Sequence, residues 1–222
     1  MSMRQLELFE TISLHLAKDN TIHGIMLMGS VAQGTASEKS DLDIMILGDT
    51  DKFIVETIDG ILIEYIYRTV YTAKQRLIND NMDMYHYLDN KITYDKHGDF
   101  ARLMLLATER YNDYVAPVKM KKQIAHWLRS TKIKIESSLS ADDKVTTNFL
   151  VATNSWKVIE GIWAVNDKPM PPSSSVLKLS NKLTKVPGDW IMALFNDSKE
   201  PRANEMIKII EWLIPLLDNL TA

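Results

Sequence analysis

The stretch "GIMLMGSVAQGTASEKSDLDIMIL", Gly24 to Leu47, constrains this chain more than any other. An apolar run ends in Gly29-Ser30, ten small or polar residues follow, and Asp41 and Asp43 then open a second apolar run. Runs of this length and composition predict two strands of a small mixed sheet, over 21–28 and 41–47. Side chains alternate along a strand, so Asp41 and Asp43 share one face, roughly 6–7 Å apart along the backbone. Leu42, Ile44 and Ile46 then point to the other face and anchor the strand in a core.

Two carboxylates within reach of water suit a divalent cation, and hard oxygen ligands favour Mg2+ or Mn2+. Gly29-Ser30, followed by a short helix over "SVAQGTAS", aims backbone N–H groups and the Ser30 hydroxyl at an anion such as a phosphate. A phosphate cradle beside a metal-binding acid pair is what metal-assisted phosphoryl or nucleotidyl transfer requires. Plainer readings compete at each position. An acid pair alone is often a solvated turn, and Ser30 is a common helix cap. The cap and the phosphate site are compatible, because both belong at a helix start.

Upstream, Leu6, Phe9, Ile12, Leu16 and Ala17 form one helical stripe over 3–18. Downstream, "KFIVETIDGILIEYIYR" reads as a hairpin turning at Asp59-Gly60. A helix over 72–88, a brief strand "KITYD" and a helix over 99–114 follow. From Ala116-Pro117 onward only helical periodicity remains, broken at "NDKPMPPSSS" and "KVPGDW". The expected organisation is an α+β domain over 1–116 with a small mixed sheet, followed by an all-helical domain over 117–222.

Composition limits the chemistry. Among 222 residues there is no cysteine, which excludes disulfides, thiolate catalysis and cysteine-held zinc. The net charge of −3 creates no global field for nucleic acid, so a polynucleotide partner is not expected. No apolar run approaches the ~18 residues of a membrane span. The first residues carry acids and an amphipathic period where a signal peptide would be apolar. A cytoplasmic protein without membrane contact is the expectation.

"MGSVAQGTASEKSDLDIMIL" resembles the signature of the nucleotidyltransferase superfamily, the polymerase-beta-like group that includes kanamycin/aminoglycoside and minimal nucleotidyltransferases. Met28-Gly29-Ser30, ten residues, then Asp41-Leu42-Asp43 match its pattern, and Glu64 in "GILIEYIYR" matches its third carboxylate. The resemblance covers about the first 115 residues. It implies Asp41, Asp43 and Glu64 as catalytic metal ligands, Gly29 and Ser30 at the nucleotide, Mg2+ or Mn2+ as cofactor, and ATP or another nucleoside triphosphate as co-substrate. More loosely, "WKVIEGIWAVNDKPMPPSSSVLKL" is similar to a segment of antibiotic-modifying members whose second domain closes over the nucleotide.

Glu64 shares its strand face with Leu62, Ile66 and Arg68, so burial there demands compensation by a metal or by an ion pair with Arg68. Glu56 on the other hairpin arm is the fallback. Aminoglycoside-modifying members take a general base, a glutamate, from an early helix of the second domain. Here "PVKMKKQIAHWLRSTKIKIE" has no carboxylate before Glu136, leaving Glu64, Glu136, His126 or no dedicated base. On that helix Lys119, Lys122, His126 and Arg129 fall on one side, opposite Met120, Ile124, Trp127 and Leu128. That side is either a solvated face or a grip for a triphosphate or acidic acceptor. Trp163 reads as core, with stacking on a base as the alternative.

The expected activity is transfer of a nucleoside monophosphate, AMP first, from a magnesium–nucleoside triphosphate to an acceptor hydroxyl. A small molecule such as an aminoglycoside-type antibiotic ranks ahead of a protein acceptor of the antitoxin kind. A non-catalytic nucleotide-binding relative is the competing class. The resemblance also leaves room for a homodimer.

Overall fold

The computed structural model describes residues 3–88, 90–195 and 202–219. The chain divides into two compact units, 1–113 and 114–222.

The first unit is built on five strands, β1 (Ile22–Leu27), β2 (Leu42–Gly48), β3 (Lys52–Ile58), β4 (Ile61–Arg68) and β5 (Lys91–Asp95). Their order in the sheet is β3-β4-β2-β1-β5. Only β2 and β4 run parallel, and the other pairs are antiparallel, so the sheet is mixed. One face packs on α1 (Met3–Leu16). There Phe9 meets Ile25, Leu27, Leu42, Ile44, Ile46, Ile61 and Ile63, with Leu6, Ile12, Leu16 and Ala17 beside it. The opposite face carries Met26, Met28, Met45 and Leu47. It is covered by Ala73 and Leu77 of α3 (Val70–Asn79), Tyr87 of α4 (Tyr85–Leu88), and Phe100 and Leu103 of α5 (Asp99–Asn112). Covered on both faces, β2 reads as a continuous apolar run. Each of its isoleucines contributes roughly 1.5–3 kcal/mol of burial.

The hairpin between β3 and β4 turns at Asp59-Gly60 as the sequence predicts, and both residues have positive φ, 51° and 76°. That is a type I′ turn, whose twist matches the strands it joins. The single helix expected over 72–88 is instead three pieces. α3 ends at Asn79, a 3-10 turn spans Met82–Met84, and α4 follows. Asp80 causes the break: its backbone leaves the helical region, and its Oδ1 accepts the Met82 N–H at 2.9 Å.

The second unit contains α6 (Val118–Ser140), α7 (Lys144–Val165), α8 (Ser173–Ser180), α9 (Trp190–Phe195) and α10 (Arg202–Asp218). α6, α7 and α10 pack on one another, and the buried residues of α6 include Ile124, Leu128, Thr131 and Ile135. Among the described residues no helix is long and apolar enough to cross a membrane.

Candidate active site

The loop after β1 is fastened to the start of β2, because the Met28 N–H donates to the Asp43 carbonyl at 2.9 Å. The chain then turns through Gly29 at φ +65° into the four-residue helix α2 (Gly29–Ala32). A Cβ at Gly29 would lie 2.0 Å from Asp43 Oδ2, so this position requires glycine for its conformation and for the closeness of the carboxylate. Ser30 does not cap α2. Met28 occupies the capping position without a side-chain bond, and Ser30 Oγ is buried with no hydrogen-bond partner among the described residues. The first N–H groups of α2, like those of any helix start, have no intrahelical acceptor. A buried hydroxyl without a partner at a helix start is the kind of polar group that an anionic oxygen would satisfy.

The ten-residue spacer is held from outside. Gln5 on α1, fully buried, donates from Nε2 to the carbonyls of Ser37, Glu38 and Ser40 at 3.0–3.3 Å. The Thr35 and Ala36 N–H groups close the loop on the Ser30 carbonyl at 3.0 and 3.1 Å. Sequence reasoning assigned α1 to packing alone. A lone glutamine within an amphipathic stripe offers no signal for this role.

Asp43 and Glu64 are direct neighbours across the parallel β2–β4 pair. Both point to the face that carries Met45 and Ile66. Asp41 lies just before β2, exposed, where the sequence expectation put it on the strand. Burial, then the charges of Asp41 and Glu64, push the Asp43 carboxyl up to about 6, with His86 acting weakly in the opposite sense. The three acids therefore feel one another, and a cation would relieve their repulsion. Among the described residues no three acidic or histidine side chains converge closely enough to hold a metal ion unaided. Magnesium commonly takes one or two carboxylates and completes its shell with substrate phosphates and water, so this donor set fits an ion that arrives with a triphosphate.

Arg68 does not compensate Glu64. It donates to Asp83 at 2.7 Å, and both side chains are almost completely buried. Asp83 also meets His86 Nδ1 at 3.3 Å and Arg76 Nε at 3.4 Å. Burial alone would raise the Asp83 carboxyl, but the neighbouring His86 and the hydrogen-bonded Arg68 outweigh it and bring it to about 2. The network ties β4, α3 and the 3-10 turn together on the same sheet face as Asp43 and Glu64. His86, which no spacing in the sequence singles out, lies against Asp83 and within the field of Asp43.

Residues 10–97 match the family described as polymerase beta, nucleotidyltransferase. Residues 10–97 thus form a nucleotidyltransferase domain of the polymerase-beta type. Among solved structures, a nucleotidyltransferase-like protein from Exiguobacterium sibiricum is similar over 94% of this chain and 72% of its own, at 11% identity and a TM-score of 0.47. No curated protein matches the chain.

Outside the carboxylates of the nucleotidyltransferase domain, the remaining sequence candidates separate. Glu56 accepts from Tyr65 Oη at 2.6 Å on the face opposite Glu64, which removes it as a fallback. Glu136 faces Lys132 Nζ at 3.6 Å. Arg129 pairs with Asp218, and Lys132 with Glu211 at 2.6 Å, so the C-terminal part of the basic helix serves structure. Trp163 is buried edge-on against Trp190, as a core residue. Trp127 departs from expectation: it is 54% exposed and lies with the lysines. Val118, Lys119, Lys122, Gln123, His126 and Trp127 line an open cleft of about 860 Å3. The Trp127 indole is held in place by Nε1 donating to Asn154 at 2.8 Å.

Proposed function

We propose that the protein transfers a nucleoside monophosphate, AMP first, from a nucleoside triphosphate to an acceptor hydroxyl. The observation that carries this reading is the Asp43 carboxylate lying directly against Gly29 and beside Glu64, next to the unpartnered Ser30 hydroxyl. Asp41, Asp43 and Glu64 would hold Mg2+ or Mn2+, which neutralises the triphosphate and stabilises the attacking and leaving oxygens. Gly29 allows the phosphates to approach the backbone. Ser30 and the first N–H groups of α2 donate to phosphate oxygens. The acceptor oxygen bonds to the α-phosphorus, the bond to pyrophosphate breaks, and the hydroxyl proton passes to a nearby base. Glu64, Glu136 and His126 are the candidates for that base, unless the acceptor needs none.

The cleft on α6 favours a small acceptor, because its volume lies in the range of small-molecule sites. Its chemistry argues against a polycationic aminoglycoside. Among the described residues Lys119 and Lys122 line it without an acid, and a rigid, exposed indole offers a stacking face. A neutral or anionic acceptor with a planar ring fits this lining better.

Calorimetric titration of ATP, with and without magnesium, tests the site. Metal-dependent binding is expected in the wild type and absent in Asp41→Asn, Asp43→Asn. An acceptor screen followed by pyrophosphate release then tests transfer. Full activity in both single aspartate variants, with folds unchanged by circular dichroism, would sink the assignment.

A further inference from the structure

The edge strand β3 is exposed along almost its whole length, and it carries Phe53, Ile54 and Val55, which are 60%, 38% and 47% exposed. Exposed sheet edges are usually blunted by proline, a bulge or short length, because their free N–H and C=O groups invite another strand. β3 has seven residues, no proline, and an uninterrupted register with β4 from Lys52↔Tyr67 to Ile58↔Ile61. Among the described residues β4 is its sole strand neighbour.

The type I′ turn fixes which backbone groups are free. Ile58 and Ile61 close the hairpin as a hydrogen-bonded pair, so pairs alternate from there. Thr57, Val55 and Phe53 fall at the non-hydrogen-bonded positions, and their N–H and C=O groups point away from β4. An incoming antiparallel strand must use these three residues.

We propose that the strand that pairs with β3 is β3 of a second copy of this chain, antiparallel and centred on Ile54. The charge pattern selects this partner and register. About Ile54, Lys52 falls opposite the second copy's Glu56, and Glu56 opposite the second copy's Lys52. Ile54 meets its own symmetry mate. Phe53 pairs with the second copy's Val55 through the free backbone groups, and Val55 with the second copy's Phe53, giving about four inter-chain main-chain hydrogen bonds. The ion pairs and the isoleucine pair occupy the non-hydrogen-bonded positions, where side chains come closest. A pairing centred on Lys52 or Glu56 opposes like charges, one centred on Val55 sets both charges against isoleucines, and one centred on Phe53 sets Lys52 against the second copy's Ile54 and Glu56 against a residue outside the strand. Lys52 and Glu56 are already extended over the sheet, Lys52 Nζ 4.1 Å above the Tyr67 ring and Glu56 on Tyr65 Oη, so little ordering remains to be done.

The twofold axis of such a pair stands perpendicular to the sheet, and each face stays continuous across the junction. Both carboxylate clusters then open on one side of a ten-stranded sheet. Val55 lies directly beside Glu64, so the second copy's Phe53 becomes the next apolar side chain outward from each cluster.

Sedimentation velocity of the full chain, up to about 100 µM because a strand-only interface is small, tests this. A dimer is expected. Lys52→Glu and Glu56→Lys each set like charges opposite one another and are expected to raise the dimer dissociation constant at least about ten-fold. The double reversal restores opposite charges and is expected to restore the dimer. Circular dichroism confirms that each variant is folded. A monomeric wild type overturns the proposal, as does a dimer indifferent to both single reversals, or a folded double reversal that stays monomeric.

Discussion

Replacing Gly29 by alanine sets a methyl group 2.0 Å from Asp43 Oδ2 on a backbone held at φ +65°. The left-handed conformation alone costs about 1–2 kcal/mol for a residue with a Cβ, and the carboxylate must move as well. Gly29→Ala is expected to lower urea-derived stability by at least that amount and to abolish magnesium-dependent ATP binding. Asp43 offers a test through pH. Its carboxyl is raised to about 6 in the folded state, so the folded chain holds this proton more tightly than the unfolded chain does. Stability from this group is greatest below about pH 4 and falls as pH rises through about 6. Asp43→Asn lacks that slope, and without metal it is expected to melt higher than wild type above pH 7, by about 3 °C. A wild type without loss across that window would contradict the geometry. The acids and Gly29-Ser30 were legible in the sequence because their order and strand setting agree. The contact between Asp43 and Gly29 was not, since it depends on how the loop closes in space.

At the level of elements, the buried pair Arg68–Asp83 holds the segment after β4 against the sheet. Removing one partner strands a buried charge, at about 3–5 kcal/mol. Asp83→Asn is expected to lose stability on that scale and to speed hydrogen exchange in α3 and α4. Arg68→Met, Asp83→Leu is expected to recover most of it. Equal stability in wild type and Asp83→Asn would mean that the pair is not buried in solution. The sequence placed Arg68 on the correct face beside Glu64, because strand alternation is simple. Its partner was hidden, because Asp83 sits on a segment whose periodicity reads as one helix. The break at Asp80 contains neither glycine nor proline, and a side chain bonding two residues ahead leaves little trace in a hydrophobic pattern.

On the scale of the whole molecule, the change from alternating elements to helices alone was visible in the sequence, and the strand pattern set Leu42, Ile44 and Ile46 of β2 on one core-facing side, which the structure packs on α1. Trp127 was assigned to the wrong side of α6. The buried stripe runs through Ile124, Leu128, Thr131 and Ile135, and residue 127 falls just outside it. Periodicity ranks positions by hydrophobicity, and an aromatic beside the stripe is drawn into it by arithmetic. All five tryptophans, Trp127, Trp156, Trp163, Trp190 and Trp212, belong to the second unit, and the nucleotidyltransferase domain has none. The chain thus carries its own optical label. Emission excited at the indole band reports the helical unit alone, and Trp127, more than half exposed, is the fluorophore most open to a collisional quencher such as iodide. Trp127→Phe should remove the larger part of the iodide-sensitive emission, and an acceptor that stacks in the α6 cleft should shield it in the wild type.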